Sequence, residues 1–156
     1  MIFHLATPIT IIIDIAAWFV IHMSVSYIMT RRALISFKPD SWLYRQRGWE
    51  RNGRTYERVF RLKSWKKKLP DGAAVFKNGF EKKRLKETNQ SYLQDFLSET
   101  CRAELTHWIV FLFGFVFFIW NIWWVGIFMV IYATIVNIPC IITQRYNRIK
   151  LKRITR

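Results

Sequence analysis

Between Leu105 and Thr143 the chain carries no Lys, Arg, Asp or Glu. One helical crossing of about 30 Å of hydrocarbon takes about 20 apolar residues, and this run is roughly twice that length. Two short crossings joined by a tight turn near Asn121 fit it better than a single long helix. Polar clusters flank the run, with Glu99, Arg102, Glu104 and His107 at its start and Gln144, Arg145, Tyr146, Asn147 and Arg148 at its end. A hairpin returns the second cluster to the side of the membrane where the first began. The two clusters are therefore expected to meet there and form one site.

A net charge of +15 beside 52% hydrophobic residues is unusual for a soluble core. It suits a membrane protein whose charges lie together at one bilayer face. A basic nucleic-acid binder would have to bury residues 105–143 in a very small core, so no nucleic-acid partner is expected. The length of 156 residues fits one membrane domain. Cys101 and Cys140 read as apolar packing, since two cysteines do not make a secreted disulfide framework.

A further apolar stretch, Ile9–Met29, is interrupted only by Asp14, His22 and a few hydroxyls. Its Ile, Val and Phe residues favour insertion by about −3 to −6 kcal/mol, against about +3 for Asp14. No basic region precedes it, so it does not resemble a cleaved signal peptide. Ionisable residues inside a span are candidates for function. For Asp14 and His22 an interhelical hydrogen bond without chemistry is the simpler expectation.

The fold expected is an all-α membrane protein with three transmembrane helices, one N-terminal and then a helical hairpin. The spans are 9–29, 103–120 and 123–144, with a basic amphipathic helical segment over 31–104 and a basic tail over 145–156. All 25 Lys and Arg residues lie in 31–102 and 145–156. Three crossings put both segments on one side, which the positive-inside rule makes the cytoplasm. The expected location is the cell membrane, multi-pass, with the N-terminus outside and the basic middle segment and C-terminus cytoplasmic.

Within 31–104, cations alternate with Trp42, Tyr44, Trp49, Tyr56, Phe60, Trp65, Phe76 and Phe80. That mixture suits headgroup depth and anionic lipid. Tyr56, Val59, Phe60, Leu62, Trp65 and Leu69 recur at roughly helical spacing, predicting one interfacial helix over 55–69 ended by Pro70-Asp71-Gly72. Ser91-Tyr92-Leu93-Gln94 has the form of a capping box. It predicts a helix that runs from Ser91 into the second crossing without a break.

At 100° per residue, Thr100, Ala103, Glu104, His107 and Gly114 share one side of that helix. Glu104 and His107 lie one turn apart, where a carboxylate can fix the imidazole tautomer and prepare a general base. A satisfied interfacial pair would look the same. A metal site would need further ligands from other helices, and His22 is the only other histidine within a span, so a metal-free site is expected. On the third span, Gly126, Val130, Ala133, Asn137, Gln144 and Arg148 share a face on which small residues allow close approach. Pro139 lacks the N–H that would meet the Ile135 carbonyl, and a kink near Asn137 is expected.

Four stretches resemble a known family. They are Trp65-Lys66-Lys67-Lys68-Leu69-Pro70-Asp71-Gly72, Arg102-Ala103-Glu104-Leu105-Thr106-His107-Trp108, Asn137-Ile138-Pro139 and Gln144-Arg145-Tyr146-Asn147-Arg148. Together they resemble the glycosyl-diaponeurosporenoate acyltransferase family over roughly residues 49–150, leaving the first crossing aside. The resemblance implies transfer of a fatty acyl group to a hydroxyl of a membrane-embedded glycosyl carotenoid or related glycolipid. The donor would be an acyl-CoA or acyl-carrier-protein thioester as co-substrate, with no resident cofactor.

On that implied chemistry His107, oriented by Glu104, takes the proton of the acceptor hydroxyl. Asn137, Gln144 or Arg102 stabilises the oxyanion. Lys66, Lys67 and Arg145 meet the donor's phosphates, and Glu99, Trp108, Tyr146, Asn147 and Arg148 complete the substrate contacts. The acyl chain would lie beside Gly114 and Gly126. No G-x-S-x-G occurs, so direct transfer is expected rather than an acyl-enzyme. Two other readings compete: a non-catalytic membrane protein that binds anionic lipid or a partner through its basic face, and a metal-using lipid-modifying enzyme.

Overall fold

Long uncharged runs rich in Ile, Val, Phe and Trp form helices here, and the charged stretches between them form short, broken ones. The computed structural model describes residues 7–69, 87 and 89–155. Among these no strand forms. The helices are α1 (Thr7–Arg31), α2 (Arg54–Arg58), α3 (Leu62–Trp65), α4 (Gln90–Phe113) and α5 (Trp123–Lys152), with 310 turns at Leu34–Ser36, Gly48–Gly53, Lys66–Lys68 and Gly114–Ile119. Three stretches, Pro8–Arg31, Gln90–Ile119 and Trp123–Lys152, are long and apolar enough to cross a membrane. These are the three expected crossings. The chain turns between the last two at Trp120–Ile122, around Asn121.

Two compact units emerge, Met1–Arg31 with Leu105–Pro139, and Arg32–Glu104 with Cys140–Arg156. In the first, the membrane unit, Trp18 is the central side chain. It stacks on Phe117 with centroids 4.6 Å apart, meets the edge of Tyr132, and donates its indole N–H to Met129 Sδ at 3.2 Å. Asp14 is 3% exposed and receives two hydrogen bonds on Oδ1, from Trp120 Nε1 at 2.7 Å and Asn121 Nδ2 at 2.8 Å. The polar residue of the first crossing thus ties α1 to the turn of the hairpin. His22 packs against Trp18 at 5.6 Å.

Losing a buried acceptor costs about 1–3 kcal/mol per orphaned donor. Asp14→Ala should therefore lower the unfolding midpoint of the protein in lipid nanodiscs, and Asp14→Asn, which keeps an acceptor, should lower it less. Midpoints equal to that of wild type in both variants would show that this tie contributes nothing.

The groove expected beside Gly114 and Gly126 is closed. A Cβ on Gly126 would sit 2.4 Å from the Phe118 ring, and one on Gly114 would sit 3.0 Å from Ala133 Cβ. Both glycines serve close packing within the hairpin, as small residues do between membrane helices, and leave no room there for an acyl chain. The α5 helix continues through Pro139.

In the second, basic unit the single interfacial helix expected over 55–69 is broken into α2, α3 and a 310 turn. The break falls at Arg61, with φ 46°. The reason lies in the core. Tyr56 and Leu62, 1% and 0% exposed, pack in one cluster with Tyr146 and Ile149. Six residues of unbroken helix would turn these two side chains about 120° apart. Bending the backbone at Arg61 brings both to the same core and leaves Val59 and Phe60 exposed. Gly53, at φ +87°, is held close over Tyr146, whose ring would lie 3.3 Å from an added Cβ.

The expected stop at Pro70-Asp71-Gly72 lies outside the described residues. The α4 helix starts one residue before Ser91. Its cap is Asn89, whose Oδ1 accepts from the Tyr92 N–H at 2.8 Å and from Ser91 Oγ at 3.1 Å, as side-chain oxygens at helix starts do. From there the helix runs unbroken to Phe113, as expected.

Candidate functional site

The site residues fall into two groups, one in each unit. In the membrane unit, His107 on α4 meets Asn137 on α5, with Nδ1 and Oδ1 3.0 Å apart. The hydrogen-bond chain fixes the proton. Asn137 is fully buried and donates through Nδ2 to the Ala133 carbonyl at 2.9 Å. A carbonyl only accepts, so the amide nitrogen faces it and the amide oxygen faces His107. That oxygen also only accepts, so Nδ1 carries the imidazole hydrogen. The basic lone pair is then on Nε2, the form a general base needs. The orienting atom on Nδ1 is an amide oxygen, where the sequence pointed to the Glu104 carboxylate. Trp108 packs edge-on to Phe111 at 5.9 Å.

In the basic unit Glu104 of the first polar cluster pairs with Arg145 and Arg148 of the second. Its carboxylate is fully buried and accepts from Arg145 Nη1 at 2.7 Å and from Arg148 Nη2. Arg145 also donates from Nε to Glu50 at 2.9 Å and from its terminal nitrogens to the Leu43 and Arg45 carbonyls at 3.4 and 3.3 Å. Its guanidinium is committed within the protein on every nitrogen. Arg148 is 2% exposed, lies over the Tyr44 ring at 5.3 Å, and donates from Nε to the Tyr44 carbonyl at 3.2 Å. Burial pushes the Tyr44 phenol up to about 12, so it stays neutral beside these charges.

Lys66 donates to Asn147 Oδ1 at 2.7 Å and lies over the Tyr146 ring at 5.1 Å. Burial lowers the pKa of its ammonium. Tyr146 donates to Glu57 at 2.7 Å, and Arg102 pairs with Glu99 at 2.5 Å. Lys67 lies in the 310 turn Lys66–Lys68. Among the described residues no group of three or more His, Cys, Asp or Glu side chains is placed to hold a metal ion.

Sequence reasoning missed Glu50, which is fully buried and accepts from Arg145, Tyr56 and the Arg47 N–H. A signal was present. The only acids between residues 31 and 69 are Asp40, Glu50 and Glu57. Each pairs with a cation on α5, namely Lys152, Arg145 and Lys150. In so basic a stretch, sparse carboxylates mark where a segment docks.

Burial alone would raise the Glu50 carboxyl, but the bonds from Arg145, Tyr56 and Arg47 outweigh it and hold its pKa below the usual 4.5. Glu57, bonded by Tyr146, Lys150 and Lys63, is held down to about 2. Folded values below the unfolded one stabilise above the unfolded pKa, and this contribution is lost as pH falls through the folded value. The unfolding midpoint should drop as pH falls from 4.5 towards about 2. A Glu50→Gln/Glu57→Gln variant should be less stable at neutral pH and show a flatter acid response. An acid response as steep as that of wild type would remove these carboxylates from the account.

Residues 40–156 match the model of the family described as glycosyl-4,4'-diaponeurosporenoate acyltransferase. A protein of that name from Staphylococcus aureus strain bovine RF122 / ET3-1 is 30% identical over 144 residues, covering 89% of this chain and 84% of the relative. One from strain N315 is 30% identical over 141 residues with the same coverage. No solved structure matches. The match takes in the blocks around His107 and Gln144 and reaches beyond the 49–150 read from the motifs, and the chain belongs to the glycosyl-4,4'-diaponeurosporenoate acyltransferase family.

Proposed function

We propose that this chain is an integral membrane acyltransferase. It moves a fatty acyl group from an acyl-CoA or acyl-carrier-protein thioester to a hydroxyl of a glycosylated membrane lipid, a glycosyl carotenoid on the family's name. The observation that carries this reading is the family match over residues 40–156.

In the reaction, His107 Nε2 takes the proton of the acceptor hydroxyl as its oxygen attacks the thioester carbonyl. The tetrahedral oxyanion collapses to the ester, and the thiolate leaves with the proton returned from the imidazolium. Asn137 is the positioning residue, because it holds the Nδ1–H tautomer. Lys66 and Lys67 meet the donor's phosphates, while Glu50, Glu104 and Arg145 hold the basic unit in shape. In the basic unit Arg102, Glu99, Tyr146 and Asn147 contact substrate, and in the membrane unit Trp108 does. The basic face lies on the cytoplasmic side by the positive-inside rule. There Trp42 and Trp49, both well exposed, rest among anionic headgroups.

The test is lipid and pigment profiling of cells with and without the gene, followed by the purified protein in nanodiscs with a labelled acyl thioester. An acylated glycolipid or glycosyl carotenoid that appears only with the protein is expected. Identical profiles, with no label transferred in the nanodiscs, would end the reading in favour of a non-catalytic lipid- or partner-binding protein.

A further inference from the structure

On the part of α5 that belongs to the basic unit, two buried polar atoms one turn apart have no hydrogen-bond partner among the described residues. They are Gln144 Oε1, an acceptor, and Arg148 Nη1, a donor. Leaving either unmet costs about 1–3 kcal/mol, and buried polar atoms left this way call for a ligand or a water. Residues at i and i+4 share a helix face, so the two side chains leave α5 on the same side. Arg148 cannot swing away to find another partner. Its Nε is bonded to the Tyr44 carbonyl, its Nη2 to Glu104, and its plane lies over the Tyr44 ring.

Charge narrows the class of ligand. Arg145 and Arg148 are balanced by Glu50 and Glu104, so the cluster offers no net positive charge to a phosphate or carboxylate. A carbonyl oxygen would satisfy Arg148 and leave Gln144 unmet, and an ammonium would do the reverse. A hydroxyl satisfies both, since it donates one hydrogen and accepts another. We propose that Gln144 Oε1 and Arg148 Nη1 together hold one hydroxyl group of the acceptor's sugar. This proposal rests on the reading of the chain as an enzyme acting on a glycosylated lipid, and it assigns the sugar headgroup a place in the basic unit.

The experiment measures equilibrium binding to the full-length protein in phosphatidylcholine nanodiscs. The ligands are n-octyl β-D-glucoside, kept below its micellar concentration, and its monodeoxy analogues. Wild type should bind the parent about tenfold more tightly than one of the deoxy analogues, the size of one well-made hydrogen bond. Gln144→Leu should lose about tenfold for the parent and no longer discriminate against that analogue, as a cycle between protein and ligand group requires. Gln144→Met, closer in shape, repeats the arm if the leucine variant does not fold.

Three results would overturn the proposal: no saturable binding to wild type, unchanged affinity of the Gln144 variants (a bound water only), or wild-type discrimination retained by them. Binding needs no turnover. Sugar binding of the expected pattern without acyl transfer would therefore sink the enzyme reading and keep the site. Acyl transfer with an unchanged deoxy profile would do the opposite.

Discussion

Glu104→Ala is expected to destabilise the protein by about 3–5 kcal/mol, the penalty for leaving buried charges without their partner. Glu104 is fully buried and takes hydrogen bonds from both Arg145 and Arg148, themselves 14% and 2% exposed. Arg145 retains Glu50 when Glu104 is lost. Arg148 keeps only a carbonyl and a ring, neither of which neutralises it. Glu104→Gln restores an acceptor but not the charge, and should fall between alanine and wild type. Removing both ends of the pair is gentler than removing one. A Glu104→Leu/Arg148→Met double variant should therefore be less destabilised than the sum of its single variants, with a coupling of about 0.5–3 kcal/mol. Thermal and denaturant unfolding in nanodiscs would measure this. Additive losses would mean that the pair does not act as a unit.

How far the sequence could be read follows from the range of the physics involved. The three crossings were legible because absence of charge over a long run is a local property, and the turn at Asn121 followed from length alone. The broken helix over 55–69 was not. Helical spacing records that Tyr56 and Leu62 are apolar, but not that both must reach Tyr146 and Ile149. That demand is tertiary, and it overrode the local period. Glu50 was missed because its partner Arg145 lies far along the chain and no spacing rule links them.

The partner of His107 was legible in principle. In an antiparallel hairpin, residues equidistant from the turn come opposite one another. Positions 107 and 137 are symmetric about 122, at the edge of the observed turn, and Gly114 and Ala133 obey nearly the same register. Reading along one helix favoured Glu104 beside His107, whereas folding the hairpin in half would have pointed to Asn137.

That register leads to the second large effect. His107→Ala should reduce kcat about a hundred- to ten-thousand-fold, the usual contribution of a positioned general base, with KM close to wild type and a loss of stability no larger than the about 1–3 kcal/mol of the orphaned Asn137 acceptor. His107 is only half-buried, so truncating it leaves the packing largely intact. Asn137→Leu removes the amide oxygen that holds the Nδ1 hydrogen and should also lower kcat, though less, because an unheld imidazole still samples the productive tautomer. The deciding measurement is the double variant. A residue that works only through His107 has nothing to act on once the imidazole is gone, so His107→Ala/Asn137→Leu should be no slower than His107→Ala alone. Multiplying losses would give Asn137 a separate role, such as oxyanion donor. Full activity in folded His107→Ala would place the base elsewhere in the chain.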